Sequence, residues 1–194
     1  MKNWKKELLT IPNLLSLFRL VLIPVYVAIY LNATNANDYF LAAAILAVSC
    51  LTDLVDGKIA RHFNMISTVG KILDPFADKA TQFTLIICLA LRHKIVNYMV
   101  GLFFVKELFQ LIAGLLTIKK GKMLRGALIT GKICTTILFI SLIIMVLMPD
   151  LPEKIITIVT LIDIGFMLIS FGDYLATYLF GQKRFEPIEI STDE

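Results

Sequence analysis

Apolar residues run in long blocks along this chain, separated by short polar or proline-marked breaks. The blocks at about 12–31, 39–57, 70–91, 95–118, 127–148 and 154–180 come close to or exceed the roughly 20 residues that cross a hydrocarbon core as a helix. Pro12 suits the first turn of the first helix. The breaks at Asn32–Asp38, at about 61–69, at Arg92-His93-Lys94, at Lys119–Arg125 and at Met148-Pro149-Asp150-Leu151-Pro152 read as connections. Residues 1–10 mix Lys2, Lys5 and Lys6 with Trp4, Leu8 and Leu9, a short amphipathic segment suited to an anionic membrane face. The pattern predicts an all-α polytopic membrane protein with six transmembrane helices. It forms a single domain over 1–194, with a juxtamembrane segment at 1–10 and a polar tail at 181–194.

Composition strengthens this picture. The chain is 58% hydrophobic and only 18% charged, and its mean hydropathy is +0.80, far from the soluble average. The first apolar block is followed by too many others to be a cleaved signal. Cys50, Cys88 and Cys134 sit singly within apolar runs, without metal-ligand spacing, and read as small packing residues. Nothing in the chain points to nucleic acid as a partner.

Charge distribution sets the expected orientation. With the N-terminus in the cytoplasm, the Lys58–Lys71 and Lys119–Arg125 connections and Lys183-Arg184 fall on the same side. The opposite side keeps Arg92, Lys94 and Lys154. The positive-inside rule and an even number of spans agree with that placement. Both termini are therefore expected inside, and a short chain without a transit peptide points to a bacterial inner membrane.

The polar residues within the apolar blocks carry the chemistry. Arg19 and Asn13 interrupt the first span, and a charge there costs about 2.5–3.5 kcal/mol even on insertion scales. Arg19 is therefore expected to face the helix bundle and meet anions. Asp53 and Asp56 stand three apart near the end of the second span, and Asp74 and Asp78 stand four apart near the start of the third. Each pair shares a helix face. Four carboxylates brought to one small volume repel each other strongly at low dielectric and demand cations. Hard oxygen donors at this density suit magnesium or manganese, with calcium as another possible occupant, better than zinc.

The full spacing is D-x2-D-G-x2-A-R-x8-G-x3-D-x3-D, from Asp53 through Asp78. It resembles the signature of the CDP-alcohol phosphotransferase family, membrane enzymes that use a cytidine-diphosphate-activated donor. Six spans, with the motif across the second and third, also fit that family. The resemblance implies that Asp53, Asp56, Asp74 and Asp78 hold two divalent cations, Mg or Mn. It implies that Asp78 also takes the proton of the attacking hydroxyl, although a base beside metals has a depressed pKa. Gly57, Ala60, Arg61 and Gly70 are implied as nucleotide-binding, with Arg61 best suited to phosphate oxygens. A homodimer among membrane lipids is likewise implied.

Membrane placement suggests a lipidic donor, CDP-diacylglycerol. A phosphate-bearing acceptor needs cations of its own, and Arg19, Lys106, Arg125 and Lys132 are the candidates. Ile11-Pro12-Asn13 followed by Arg19, Lys106-Glu107, and Gly131-Lys132 followed by Thr135-Thr136 resemble the glycerol-phosphate branch of the family. Lys106 stands where that branch commonly has an arginine. A point charge there replaces a bidentate fork, and a local Lys106–Glu107 ion pair is an equal reading.

The favoured expectation is transfer of a phosphatidyl group to the hydroxyl of sn-glycerol 3-phosphate, giving phosphatidylglycerophosphate and CMP. Alternatives keep the chemistry and change the acceptor to phosphatidylglycerol (giving cardiolipin), inositol phosphate or serine. A remote alternative is a divalent-cation transporter, because intramembrane carboxylates often mark ion paths. The aspartates, however, lie at span ends on one side, and no internal repeat is evident.

Overall fold

The computed structural model describes residues 10–62, 70–124, 128–181 and 185–187; for residues 11, 12, 50, 53–62, 70–72, 122, 123, 186 and 187 only the backbone is described. Six helices follow one another: α1 (Ile11–Leu31), α2 (Ala36–His62), α3 (Gly70–Ala90), α4 (Val96–Lys119), α5 (Ile129–Leu147) and α6 (Glu153–Phe180). The expected spans coincide with these helices, although α2 runs beyond its apolar block to His62. No proline interrupts that stretch, so backbone hydrogen bonding continues after the hydropathy falls.

Four helices are long and apolar enough to cross a membrane: Asn13–Leu31, Val96–Lys119, Ile129–Leu147 and Glu153–Phe180. Among the described residues, α2 contributes only a shorter apolar stretch, Ala36–Ser49. Among the described residues there are six helices, and four of them are long and apolar enough to cross a membrane.

The helices are amphipathic in the reverse sense to those of a water-soluble protein. On α1, Asn13, Ser16 and Arg19 are buried at 1%, 0% and 3% exposure while Leu14, Phe18 and Val21 face outward. On α6, Thr160, Asp163 and Ser170 are buried while Leu161, Ile162 and Ile169 are exposed. Polar groups cannot find partners in hydrocarbon, so they turn inward and leave the apolar surface to lipid. Together with the four apolar helices, this arrangement defines an integral membrane protein. Cys88 and Cys134 are buried, as packing residues should be; the Cys50 side chain lies outside the described residues.

The chain divides into two compact units, residues 1–94 with 142–151, and residues 95–141 with 152–194. In the first unit α1 packs along both α2 and α3. Pro12 occupies the first turn of α1, where its missing N–H costs no bond. Ahead of α2, Asp38 accepts the backbone N–H groups of Thr34 (2.9 Å) and Asn35 (3.1 Å), the reach-back half of a capping box. Those two donors hold its carboxyl below the usual carboxylate range.

The far end of this unit is closed by Arg92, from the turn after α3. Its guanidinium lies 4.8 Å from the Tyr30 ring centre and 4.7 Å from that of Tyr39. It also donates to the Tyr30 carbonyl at 3.2 Å and to the Tyr39 hydroxyl. One side chain thus joins the ends of α1, α2 and α3. Arg92→Ala is expected to lower stability by about 1–2 kcal/mol, the combined scale of a cation–π contact and a hydrogen bond. Thermal unfolding in detergent reads this as a lower midpoint. Arg92→Lys should recover only part of the loss, because the planar fork is gone.

In the second unit α4 packs on α6. Two hydroxyl–carboxylate bonds tie α5 to α6: Ser141 donates to Asp163 at 3.0 Å and Thr130 to Asp173 at 2.6 Å. Gly131 allows a close approach, since a Cβ there would meet the Tyr174 ring edge and hydroxyl at 2.9 Å. Past α4, Gly121 adopts a positive φ of 70° and turns the chain back. Two short strands then form, β1 (Lys122–Leu124) and β2 (Phe185–Pro187), paired antiparallel. The all-α expectation omitted this ladder, which joins the basic connection to the start of the polar tail. Its partners lie far apart in sequence and carry no hydrophobic alternation long enough to signal a strand.

Candidate active site

The candidate site builds from α1 and α3 of the first unit. On α3, Asp74 and Asp78 sit one turn apart, and both are partly buried. Pro75 falls in the second turn of the helix, where its ring costs a bond to a backbone already short of partners near the terminus. On α1, Asn13, Ser16 and Arg19 recur every three residues and form one buried polar stripe. Ser16 Oγ donates to Asp74 Oδ1, and Arg19 Nη2 donates to Ser16 Oγ at 3.4 Å. A buried cation, a hydroxyl and a carboxylate are therefore linked in series across two helices.

Arg19 behaves as its sequence position demands: it is 3% exposed and turned to the polar interior. It also forms one wall of an open groove of about 240 Å³, shared with Leu22 and Tyr26 of α1, Leu46 and Ser49 of α2, and Leu85 of α3. The groove is apolar apart from Arg19 and a few hydroxyls.

Asp53, Asp56, Gly57, Ala60 and Arg61 lie on the last turns of α2, and Gly70 opens α3. Their side-chain positions are outside the described residues, and Arg125 is outside them altogether. Among the described residues, no three Asp, Glu, His or Cys side chains gather as a metal site. What is described, Asp74 and Asp78 on one helix face with Ser16 supporting the first, offers hard oxygen donors and fits a divalent cation of the magnesium kind.

Lys106 and Lys132 belong to the second unit. Lys106 is 2% exposed and pairs with Glu107 at 2.8 Å, as the ion-pair reading of that dipeptide expected. Lys132 is exposed on the first turn of α5. Sequence reasoning passed over Ser16. The signal was present in the i, i+3, i+6 spacing of Asn13, Ser16 and Arg19, but serine alone is common in membrane helices.

The fold is that of an integral membrane protein in which Asp74 of the third helix is linked through Ser16 to the buried Arg19 of the first. The profile of the CDP-alcohol phosphatidyltransferase family matches residues 9–169, and the chain belongs to that family. The match runs through both units. Over 91 residues the chain is 43% identical to a cardiolipin synthase (CMP-forming)/mitochondrial hydrolase fusion protein of Schizosaccharomyces pombe, covering 46% of this chain and 14% of that protein. A cardiolipin synthase (CMP-forming) of Streptomyces coelicolor is 36% identical over 89 residues, or 45% of this chain and 41% of the relative. A CDP-diacylglycerol–glycerol-3-phosphate 3-phosphatidyltransferase of Wigglesworthia glossinidia brevipalpis is 43% identical over 72 residues, or 37% and 38% of the two chains. Each alignment spans less than half of the relative's length.

Proposed function

We propose that this protein transfers a phosphatidyl group from CDP-diacylglycerol to the hydroxyl of sn-glycerol 3-phosphate, giving phosphatidylglycerophosphate and CMP. The observation that carries the reading is the series from buried Arg19 through buried Ser16 to Asp74, a residue of the family motif. A fixed cation next to carboxylates is what a reaction between two phosphate-bearing substrates requires.

The aspartates Asp53, Asp56, Asp74 and Asp78 hold two divalent cations, Mg or Mn. When bound, these neutralise the diphosphate and stabilise the charge that develops during in-line displacement. Asp78 accepts the proton of the acceptor hydroxyl as its oxygen bonds to the phosphorus that carries diacylglycerol. The bond from that phosphorus to the bridging oxygen breaks, and CMP leaves with the oxygen. Gly57, Ala60 and Gly70 leave space for the nucleotide, and Arg61 binds its phosphates.

Arg19, Lys106, Arg125 and Lys132 are the cations available to the acceptor phosphate. Lys106 is engaged by Glu107 and Arg19 by Ser16. The protein works as a homodimer in a bacterial inner membrane, with termini and site cytoplasmic, in keeping with the Lys/Arg distribution.

The second reading exchanges the acceptor for phosphatidylglycerol, giving cardiolipin; the names of the Schizosaccharomyces and Streptomyces relatives favour it. Purified protein in detergent with Mg²⁺ and CDP-diacylglycerol separates the two. CMP release and lipid product are followed by mass spectrometry with glycerol 3-phosphate, phosphatidylglycerol, inositol phosphate or serine. Phosphatidylglycerophosphate formed from glycerol 3-phosphate alone is the expected result. Cardiolipin from phosphatidylglycerol would replace the first reading with the second.

A further inference from the structure

We infer that Ser16 is a positioning residue, holding the Asp74 carboxylate in the orientation that binds metal. The inference rests on the reading of Asp74 as a metal ligand and adds a residue from a different helix to its support.

The argument starts from what hydroxyls in these helices ordinarily do. Thr81, Thr117, Thr135, Thr136 and Thr157 each donate back to a carbonyl one turn earlier in their own helix, at 2.7–3.1 Å. That local bond is the easy one for Ser and Thr in a helix. Ser16 reaches across to Asp74, 58 residues away on another helix, as Thr130 and Ser141 reach to Asp173 and Asp163.

Donor arithmetic explains the direction. A serine hydroxyl has one proton and two acceptor lone pairs. Arg19 Nη2 donates into the Ser16 oxygen, and the Ser16 hydroxyl donates to Asp74 Oδ1. Arginine cannot give up its proton in a protein, so the direction of the series does not reverse. Ser16 is 0% exposed, which keeps bulk water from taking its place.

The consequence falls on the carboxylate. The terminal torsion of an aspartate is broad and roughly two-fold, and a freely turning ligand binds a cation weakly. A bond from Ser16 to Oδ1 restricts that rotation and leaves Oδ2, with the second lone pair of Oδ1, to a cation. Partners that orient ligands in this way typically change metal affinity 10–100-fold when removed.

The test is a Mn²⁺ titration of the purified full-length protein in detergent, without substrates, read by electron paramagnetic resonance. Ser16→Ala should bind Mn²⁺ about 10–100-fold more weakly, and Ser16→Thr, which keeps the hydroxyl, should return to within a few-fold of the unaltered protein. Thermal midpoints without metal report whether each variant is folded. Should Ser16→Ala fail to fold, Ser16→Cys keeps the size with a weaker donor and should show intermediate affinity. Unchanged Mn²⁺ affinity in folded Ser16→Ala overturns the inference. Equal weakening in Ala and Thr also overturns it, because packing alone would then be responsible. CMP release on the same samples keeps the two ideas apart. Mn²⁺ binding that depends on Ser16 without CMP release defeats the transferase reading and supports the positioning role. CMP release with wild-type metal affinity in Ser16→Ala does the reverse.

Discussion

Asp74→Asn is expected to lower CMP release by about 10²–10³-fold, the scale on which losing one preorganised electrostatic contact acts. Asparagine has nearly the size of aspartate and can still accept from Ser16 through its amide oxygen. It loses the negative charge, and with it the affinity of a hard divalent cation for that position. The fold should survive: removing one charge from a group of neighbouring carboxylates relieves like-charge repulsion. The thermal midpoint of Asp74→Asn without metal is therefore expected at or above that of the unaltered protein. Added Mg²⁺ should raise the midpoint of the parent and leave the variant nearly unmoved, since a ligand stabilises only the state that binds it. Activity within about threefold of the parent, a change of well under 1 kcal/mol in barrier, would remove Asp74 from the site.

The second large effect is expected at Arg19, where two substitutions separate two roles. Arg19→Leu leaves Ser16 and Asp74 without the buried cation that stands 3.4 Å from the serine. A hydrogen bond to a charged group is worth about 1.5–3 kcal/mol, so this variant should unfold at a lower temperature and release almost no CMP. Arg19→Lys keeps the charge within the span but exchanges a planar fork for a flexible point charge. Its stability should be close to the parent's, while kcat/KM for the phosphate-bearing acceptor falls about tenfold, or roughly 1.4 kcal/mol. Kinetics and thermal unfolding measured on the same preparations distinguish these outcomes. A leucine variant that is as stable and as active as the parent would show that Arg19 serves neither role.

Much of the architecture is legible in the linear chain because a bilayer imposes one rule everywhere. Backbone polar groups in hydrocarbon must be paired within the segment, so each apolar block of sufficient length becomes a helix. That is why the block at about 12–31 became Ile11–Leu31 and the block at about 154–180 became Glu153–Phe180. Arg19 could be placed inward for the same reason: a buried guanidinium has no acceptable position facing lipid. The acidic motif is a matter of residue type and spacing, and the family match runs over residues 9–169 around it.

Other features belong to three dimensions alone. The sequence marks Asp74 as acidic and Ser16 as a polar interruption, yet their bond spans 58 positions and depends on how α1 packs against α3. Arg92 reads as a turn cation on the outer side, whereas folding seats it on Tyr30 and Tyr39, from two other helices. The pairing of Lys122–Leu124 with Phe185–Pro187 has the same character. Periodicity and hydropathy report what each segment prefers in contact with lipid. They say nothing of which buried hydroxyl meets which carboxylate, because that is decided by helix packing at distances no local pattern encodes.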